Sequence, residues 1–421
     1  MELKVKEVFK IDGEVDAPPS KSYSHRAIIL ASLANSKSKI YNLLLSEDTL
    51  STINACKALG SKINQKDDYL EIIGSSKIHN LSKEAIDLGN SGTSLRLLTS
   101  IAALSDNEVI FTGDESLKTR PMETLINGLK PLGVEVDSIN NDFKAPLIIK
   151  PGYIGGETSI KGNISSQFIS SILISAPLSE EGVKLKVTDE FISKPYVDMT
   201  IDIMEKFGVK IKNINNTFNI SPQKYQGCNY VVEGDYSSAS YLLAAVAILG
   251  GKLKVNKLFK SSKQGDKLII DILKDMGCKL TLNDDNVIIV SDGNLKGINV
   301  DLSNAPDLLI TVAILGSMSK GITKITGVAH ARFKETDRIA TTCKELNKLN
   351  CNVRETDDGM IIEGGVSSGN VKSHKDHRLA MAFSLIGLKH DILITDGEVF
   401  NVSFPNFIEV MDEIGVKLEL V

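Results

Sequence analysis

The 421-residue chain is long enough for two or three domains. Its 42% hydrophobic and 24% charged residues suit a folded protein with real cores. A net charge of -5 offers nucleic acid no bulk attraction, so anion binding must come from local basic clusters.

In chain order, the opening "MELKVKEVFKIDGEV" alternates like strand and carries no apolar signal core. No apolar run reaches membrane-spanning length; "ASYLLAAVAILGG" and "DLLITVAILGSMSKG" read as buried helices. Cys56, Cys228, Cys278, Cys343 and Cys351 lack metal-ligand spacing and fit a reduced, cytoplasmic setting with ordinary core thiols. "DAPPSKSYSHRA" (16–27) then places Ser20, Lys21, Ser22, Ser24 and Arg26 where an apolar helix begins. A helix start offers free N–H groups and the positive end of the dipole, and added cations make it an anion site. The plainer alternative is a Ser cap beside solvated bases.

From there two helix types alternate. One is amphipathic and ends in Gly or Asn before a strand: "INACKALGSKI", "LINGLKPLGVEV", "TIDIMEKFGVKI", "IIDILKDMGCKL", "CKELNKLNCNV" and "FIEVMDEIGVKL". Gly60, Gly133, Gly208, Gly277, Asn350 and Gly415 stand where a left-handed C-terminal residue is expected. The other type is apolar nearly all round and opened by small polar residues, as in "GTSLRLLTSIAAL", "SSQFISSILISAPL" and "HRLAMAFSLIGL". The chain thus repeats an α/β unit six times: strand, buried helix, strand, amphipathic helix, then further strand. No terminal copy is a polar cap, so two lobes of three units fit better than a solenoid.

The polar segments at the helix entries carry the chemistry. Gly92 in "DLGNSGTSLRLL" allows a ligand close to the backbone. Arg120 precedes Pro121, placed where a helix's first turn would begin, and Lys194 precedes Pro195 in the same register. Ser165, Ser166 and Gln167 lead one buried helix, Asp307 another, and His377 and Arg378 a third. "HARFKETDRIA" packs Arg332, Lys334, Glu335, Asp337 and Arg338 at one helix start, an alternation that suits proton transfer beside bound anions. Lys21, Arg26, Arg120, Lys334, Arg338 and Arg378 recur at helix entries of an acidic chain. A cleft between two lobes, lined by these groups, would bind two small, highly anionic substrates.

"SKSYSHRA", "LGNSGTSLR", "KTRPM", "SSQF", "SKPY", "EGDYSSASY", "KETDR", "DHR" and "SFPNF" follow one another over the whole chain. In this the sequence resembles the 5-enolpyruvylshikimate-3-phosphate synthase family of 3-phosphoshikimate 1-carboxyvinyltransferases. The resemblance implies two lobes, each a threefold repeat of a βαβαββ unit, an inside-out α/β barrel of enolpyruvyl transferase type. It places residues 1–18 with 232–421 in one lobe and 19–231 in the other. It implies transfer of the enolpyruvyl group of phosphoenolpyruvate to the 5-hydroxyl of shikimate 3-phosphate by addition and elimination, on the shikimate pathway to chorismate, with no metal or organic cofactor. Catalysis falls to Asp307, Glu335 and Lys21. Shikimate 3-phosphate falls to Lys21, Ser22, Arg26, Ser165, Ser166, Gln167, Ser193, Asp307 and Lys334. Phosphoenolpyruvate falls to Lys21, Gly92, Arg120, Gln167, Arg338 and Arg378. A cytoplasmic monomer without nucleic-acid or membrane partners is expected, and a target of glyphosate.

Three positions depart from the family pattern. Val402 stands where a Lys is common, His330 where Asn is common, and Leu97 where Pro is common, and Leu97 is expected to weaken glyphosate. Two rivals remain: the enolpyruvyl transferase acting on UDP-N-acetylglucosamine, which uses a loop cysteine that "TGDESLKTRPME" lacks, and a non-catalytic repeat protein serving as a binding platform.

Overall fold

The computed structural model describes residues 1–75, 77–82 and 84–421. The six amphipathic helices stop as their sequences dictate. Gly60, Gly133, Gly208, Gly277 and Gly415 have φ between 84° and 113°, and Asn350 has φ 59°. In chain order the helices are α1 (Lys21–Leu33), α2 (Glu47–Ala58), α3 (Gly92–Ala102), α4 (Glu123–Leu129), α5 (Ser166–Ser175) and α6 (Lys194–Lys206). They continue as α7 (Tyr236–Leu249), α8 (Ile269–Asp275), α9 (Leu309–Ser317), α10 (Arg338–Lys348), α11 (His377–Ser384) and α12 (Phe407–Glu413). Odd-numbered helices are buried on nearly every side, and even-numbered ones on one face.

Among the described residues the strands form six four-stranded sheets of one pattern. In one of them Ile86–Asp87 runs parallel to Val109–Thr112, which pairs antiparallel with Leu147–Ile149, itself antiparallel to Val136–Ser138. In three of the sheets a buried helix joins the parallel pair and an amphipathic helix leads to the hairpin, giving a contiguous βαβαββ; in the other three one strand comes from elsewhere in the chain.

The chain divides into two units, Met1–Pro18 with Glu233–Val421, and Pro19–Val232. Each holds three repeats and its own apolar cluster. In the Pro19–Val232 unit the last strand, Asn229–Val231, returns to run parallel to Lys37–Tyr41 and completes the first repeat's sheet. In the other unit Ile11–Asp16 runs parallel to Gly251–Asn256, while Glu2–Val8 lies between Ile392–Thr395 and Val416–Leu420.

The buried helices also share polar contacts. Ser100 Oγ meets Ser171 Oγ at 2.7 Å, Ser171 Oγ meets the Leu97 carbonyl at 3.3 Å, and Gln167 Nε2 donates to Thr93 Oγ1 at 3.0 Å. Partner numbers rise together along both helices, so α3 and α5 run parallel and start at one end of the unit. In the other unit Ser240 Oγ on α7 meets Thr311 Oγ1 on α9 at 3.2 Å. These hydroxyls are satisfied inside apolar packing, which holds register without leaving a buried polar group unpaired.

The returning strands pack tightly. Gly251 has φ 126°, and a Cβ there would collide with the Ile11 carbonyl oxygen. Gly251→Ala is expected to destabilise the unit by about 2 kcal/mol or more, since a left-handed backbone and a backbone clash add. The measurement is the denaturant midpoint followed by circular dichroism.

Candidate active site

Each unit presents polar groups at its helix starts, and the two sets differ in charge balance. In the Pro19–Val232 unit, Ser20 caps α1 by accepting from Tyr23 N at 3.5 Å. Lys21 follows and pairs with Asp48 at 3.1 Å. Arg26, one turn on and 1% exposed, gives its hydrogen bonds to neutral oxygens: Thr200 Oγ1 at 2.8 Å, the Ser22 carbonyl at 2.9 Å and the Tyr196 carbonyl at 3.2 Å. Burial lowers this guanidinium to about 10, which leaves it charged at neutral pH.

Ser91 caps α3, and Gly92 is the helix's first residue. Asn90 Oδ1 accepts from Arg120 Nη2 at 2.5 Å, which lays the Arg120 guanidinium over Gly92, where a Cβ would collide with Nη1. Ser165 caps α5 by accepting from Gln167 N at 3.3 Å, and Ser166 is buried behind it. Gln167 Oε1 receives Arg96 Nη1 at 2.8 Å. Ser193, 4% exposed, is a left-handed cap with φ 53° at the start of α6.

Beneath this surface runs a buried chain of hydroxyls. His25 Nδ1 lies 2.7 Å from Thr52 Oγ1, Thr52 Oγ1 lies 2.6 Å from Ser94 Oγ, and Ser94 Oγ lies 2.7 Å from Ser91 Oγ. It ties α1 through α2 to the cap of α3. Burial first, then Lys21 and Arg26, hold the His25 imidazole well below its usual range, so it is neutral.

The other unit gathers the carboxylates. Asp307 sits in a short turn, Pro306–Leu308, ahead of α9. Its Oδ1 lies 3.2 Å from Arg338 Nη1 and 3.9 Å from Lys334 Nζ, and its Oδ2 lies 2.8 Å from Arg378 Nη2. Glu335 Oε2 is 2.6 Å from Arg338 Nη2, and Asp376 Oδ2 is 2.8 Å from Arg338 Nε. Burial alone would lower Arg338, but Asp376, Glu335 and Asp307 outweigh it and raise the guanidinium above its usual value. Arg378 also bonds Ser237 Oγ on α7. His330, on the turn before Lys334, is pushed down to about 4 by burial and by Lys334, so its imidazole is neutral.

The predicted residues thus fall into two groups. Lys21, Ser22, Arg26, Gly92, Ser165, Ser166, Gln167 and Ser193 lie in or just before the first turns of helices of one unit, with Arg120 on an extended segment of the same unit, and Asp307, Lys334, Glu335, Arg338 and Arg378 lie near helix starts of the other. Two local expectations fail. Pro121 does not open a helix: the turn Leu117–Thr119 ends at Arg120, and α4 starts at Glu123. Arg120 is extended (φ -78°, ψ 128°), as a residue before proline prefers, whereas Lys194 is already the first residue of α6 and pairs with Asp198 at 2.8 Å. Sequence reasoning also passed over Asp48, Arg96, Ser237 and Asp376. Asp376 had a signal, since Asp immediately before a buried helix is a cap, and its side chain accepts from Arg378 N. Arg96 had another, four residues after Gly92 on an apolar helix.

The thiols are not activated. Burial pushes Cys56 and Cys343 up to about 12 and Cys351 up to about 11. Among the described residues no three His, Cys, Asp or Glu side chains are placed to hold a metal ion, and no helix is long and apolar enough to cross a membrane.

Residues 5–411 match the family model for EPSP synthase (3-phosphoshikimate 1-carboxyvinyltransferase). The chain is 67% identical to the 3-phosphoshikimate 1-carboxyvinyltransferase of Methanobrevibacter smithii, over 100% of both chains. It is 53% identical to that of Methanothermobacter thermautotrophicus, again over 100% of both. Among solved structures it is similar to EPSP synthase from Acinetobacter baumannii, with TM-score 0.84 and 29% identity over 99% of each chain.

His25 gives a stability prediction whose sign follows from its depressed pKa. The unfolded imidazole takes up a proton below about 6.5 and the folded one does not, so its contribution is full above that pH and declines as pH falls below it. His330 acts in the same direction, between about 6.5 and about 4. Denaturation midpoints at pH 7.5 and 5.0 are expected to differ less in His25→Asn than in the parent chain. An equal difference would contradict a neutral buried imidazole.

Proposed function

The chain belongs to the EPSP synthase (3-phosphoshikimate 1-carboxyvinyltransferase) family, and from that premise we infer that it joins phosphoenolpyruvate to the 5-hydroxyl of shikimate 3-phosphate and releases phosphate. The observation that carries the chemistry is the pair of carboxylates, Asp307 and Glu335, held on the one buried guanidinium of Arg338. An addition–elimination needs one group to take the hydroxyl proton and another to give a proton to the methylene carbon and later remove one. In the addition the hydroxyl oxygen bonds the enol carbon, its proton leaves to Asp307, and Glu335 protonates the methylene. In the elimination the carbon–oxygen bond to phosphate breaks as Glu335 takes a proton back, Lys21 gives a proton to the departing phosphate, and the proton held by Asp307 returns through solvent to reset Lys21. Every proton transfer to or from substrate is assigned to groups of the chain itself.

The remaining assignments are those the family resemblance implies. Phosphoenolpyruvate falls to Lys21, Gly92, Arg120, Gln167, Arg338 and Arg378. Shikimate 3-phosphate falls to Lys21, Ser22, Arg26, Ser165, Ser166, Gln167, Ser193, Asp307 and Lys334. Arg26 supports this reading because it is buried and bonded to neutral oxygens, so an arriving anion meets a positive group with no carboxylate to displace. A neutral His330 beside Lys334 adds no charge and can still hydrogen-bond the acceptor substrate. Residues 1–18 with 232–421, and 19–231, are proposed as the two lobes, acting as a cytoplasmic monomer without nucleic-acid or membrane partners. The loop cysteine of the UDP-N-acetylglucosamine enzyme has no counterpart in residues 112–123.

Phosphate release from phosphoenolpyruvate is expected only with shikimate 3-phosphate present. Asp307→Asn and Glu335→Gln are each expected to lower kcat by about 10²–10⁴-fold, the usual worth of a general acid or base. Release without the acceptor, or full activity in both variants, would remove this reading. Gly92→Ala is expected to fold normally, because the atom its Cβ meets is the end of a flexible side chain. It displaces Arg120, so the KM for phosphoenolpyruvate should rise about tenfold or more with the KM for shikimate 3-phosphate little changed. Leu97 is buried inside α3, and glyphosate competition against phosphoenolpyruvate is expected to be weaker than in a family member with Pro there.

A further inference from the structure

Glu345 lies two turns into α10, is fully buried, and has no part in the chemistry proposed above. Lys348 Nζ reaches both its oxygens, at 2.6 and 2.7 Å. His374 Nε2 lies 2.7 Å from Oε1, and Lys372 N donates to Oε2 at 3.0 Å. Seven residues earlier on the same helix stands Arg338, and positions i and i+7 share one helix face. From that face Arg338 grips Asp376 at 2.8 Å while Glu345 grips Lys372 and His374. The segment between the strand Gly369–Lys372 and α11 is therefore held on α10 at two points, by opposite charges.

Between the two grips the chain passes His374 (φ 51°) and Lys375 (φ 59°), both left-handed. Two successive non-glycine residues are uncommon there, the lysine more so than the histidine, and a strained turn persists only where its surroundings over-determine it. Asp376 follows at once and is fully buried. Its Oδ1 caps α11 by accepting from Arg378 N at 2.9 Å, and its Oδ2 holds Arg338.

We propose that Glu345 is a positioning residue for the Arg338–Arg378 pair: it clamps the His374–Lys375 turn onto α10 and so fixes Asp376, which sets Arg338 directly and Arg378 through the start of α11. Glu345 touches no substrate in this role. The inference rests on the assignment of phosphoenolpyruvate to the two arginines. Without the clamp the turn relaxes, Asp376 moves, and the two guanidinium groups lose their common reference.

The test uses the full chain, with each substrate varied in turn and unfolding midpoints measured alongside. Glu345→Gln and His374→Phe are expected to raise the KM for phosphoenolpyruvate about tenfold and to leave the KM for shikimate 3-phosphate within about twofold. Adding Lys375→Gly to Glu345→Gln removes strain at a left-handed position and should recover most of the loss. Both KM values rising together with a lowered midpoint, or an unchanged KM for phosphoenolpyruvate in folded variants, would overturn the proposal. If Glu345→Gln does not fold, His374→Phe decides alone. A parent chain that releases no phosphate overturns the proposed function instead. Calorimetric titration with inorganic phosphate then decides the clamp, which weaker binding by His374→Phe supports and equal affinity sinks.

Discussion

Arg338 is the constraint on which the carboxylate-bearing unit depends. A guanidinium 2% exposed needs partners, and its three are Asp307, Glu335 and Asp376. Asp307 then holds Arg378 through its other oxygen, so one buried charge fixes three carboxylates and a second arginine. A planar fork with five fixed donors can do this; the flexible ammonium of a lysine cannot. The arrangement also explains the helix starts. Arg338 opens α10, Arg378 is the second residue of α11, and Asp307 stands just ahead of α9. Three entries of one threefold unit meet on a single ion cluster.

The other unit handles charge in the opposite way. Lys21 has Asp48, but Arg26 is bonded to a hydroxyl and two carbonyls, Arg96 reaches an amide, and Arg120 reaches Asn90. Neutral acceptors position a cation without cancelling it. The parallel starts of α3 and α5 add the positive ends of their dipoles. The helix starts of one unit therefore hold cations mainly on neutral acceptors, and those of the other hold paired acids and bases.

The repeat architecture was legible because its signals are local. A left-handed Gly or Asn ending each amphipathic helix and a small-residue start to each buried one depend on a few neighbouring residues, and Gly60, Gly133 and Asn350 behave accordingly. The candidate site was legible as a set of positions near helix entries, because cations beside apolar helices have few structural reasons to be there. Its internal pairing was not. That Asp376 serves Arg338 across 38 positions, or that Thr52 joins His25 to Ser94, follows from how helices pack, which no local pattern records. Lys194 misled for the same reason: "KPY" resembles "RPM" as a string, but one lysine is inside a helix beside Asp198 and the other position is extended.

Buried ion clusters are poor stabilisers, since the cost of dehydrating each charge rivals the attraction gained. The cluster around Arg338 is better understood through geometry. In the proposed chemistry Asp307 and Glu335 keep fixed directions while protons move on and off them, and a carboxylate free to rotate would spend most of its time misaligned. Sharing one rigid guanidinium removes that freedom for both at once. The strained turn at His374 and Lys375 belongs to the same economy of motion, since the segment that carries Asp376 is held at both ends by α10 and cannot drift without moving Arg338. Rigidity here is bought from neutral packing elsewhere in the unit, where Leu309, Ile314 and Phe383 are fully buried behind the charged layer. The apolar core holds the helices, the helices hold the arginines, and the arginines hold the directions of Asp307 and Glu335.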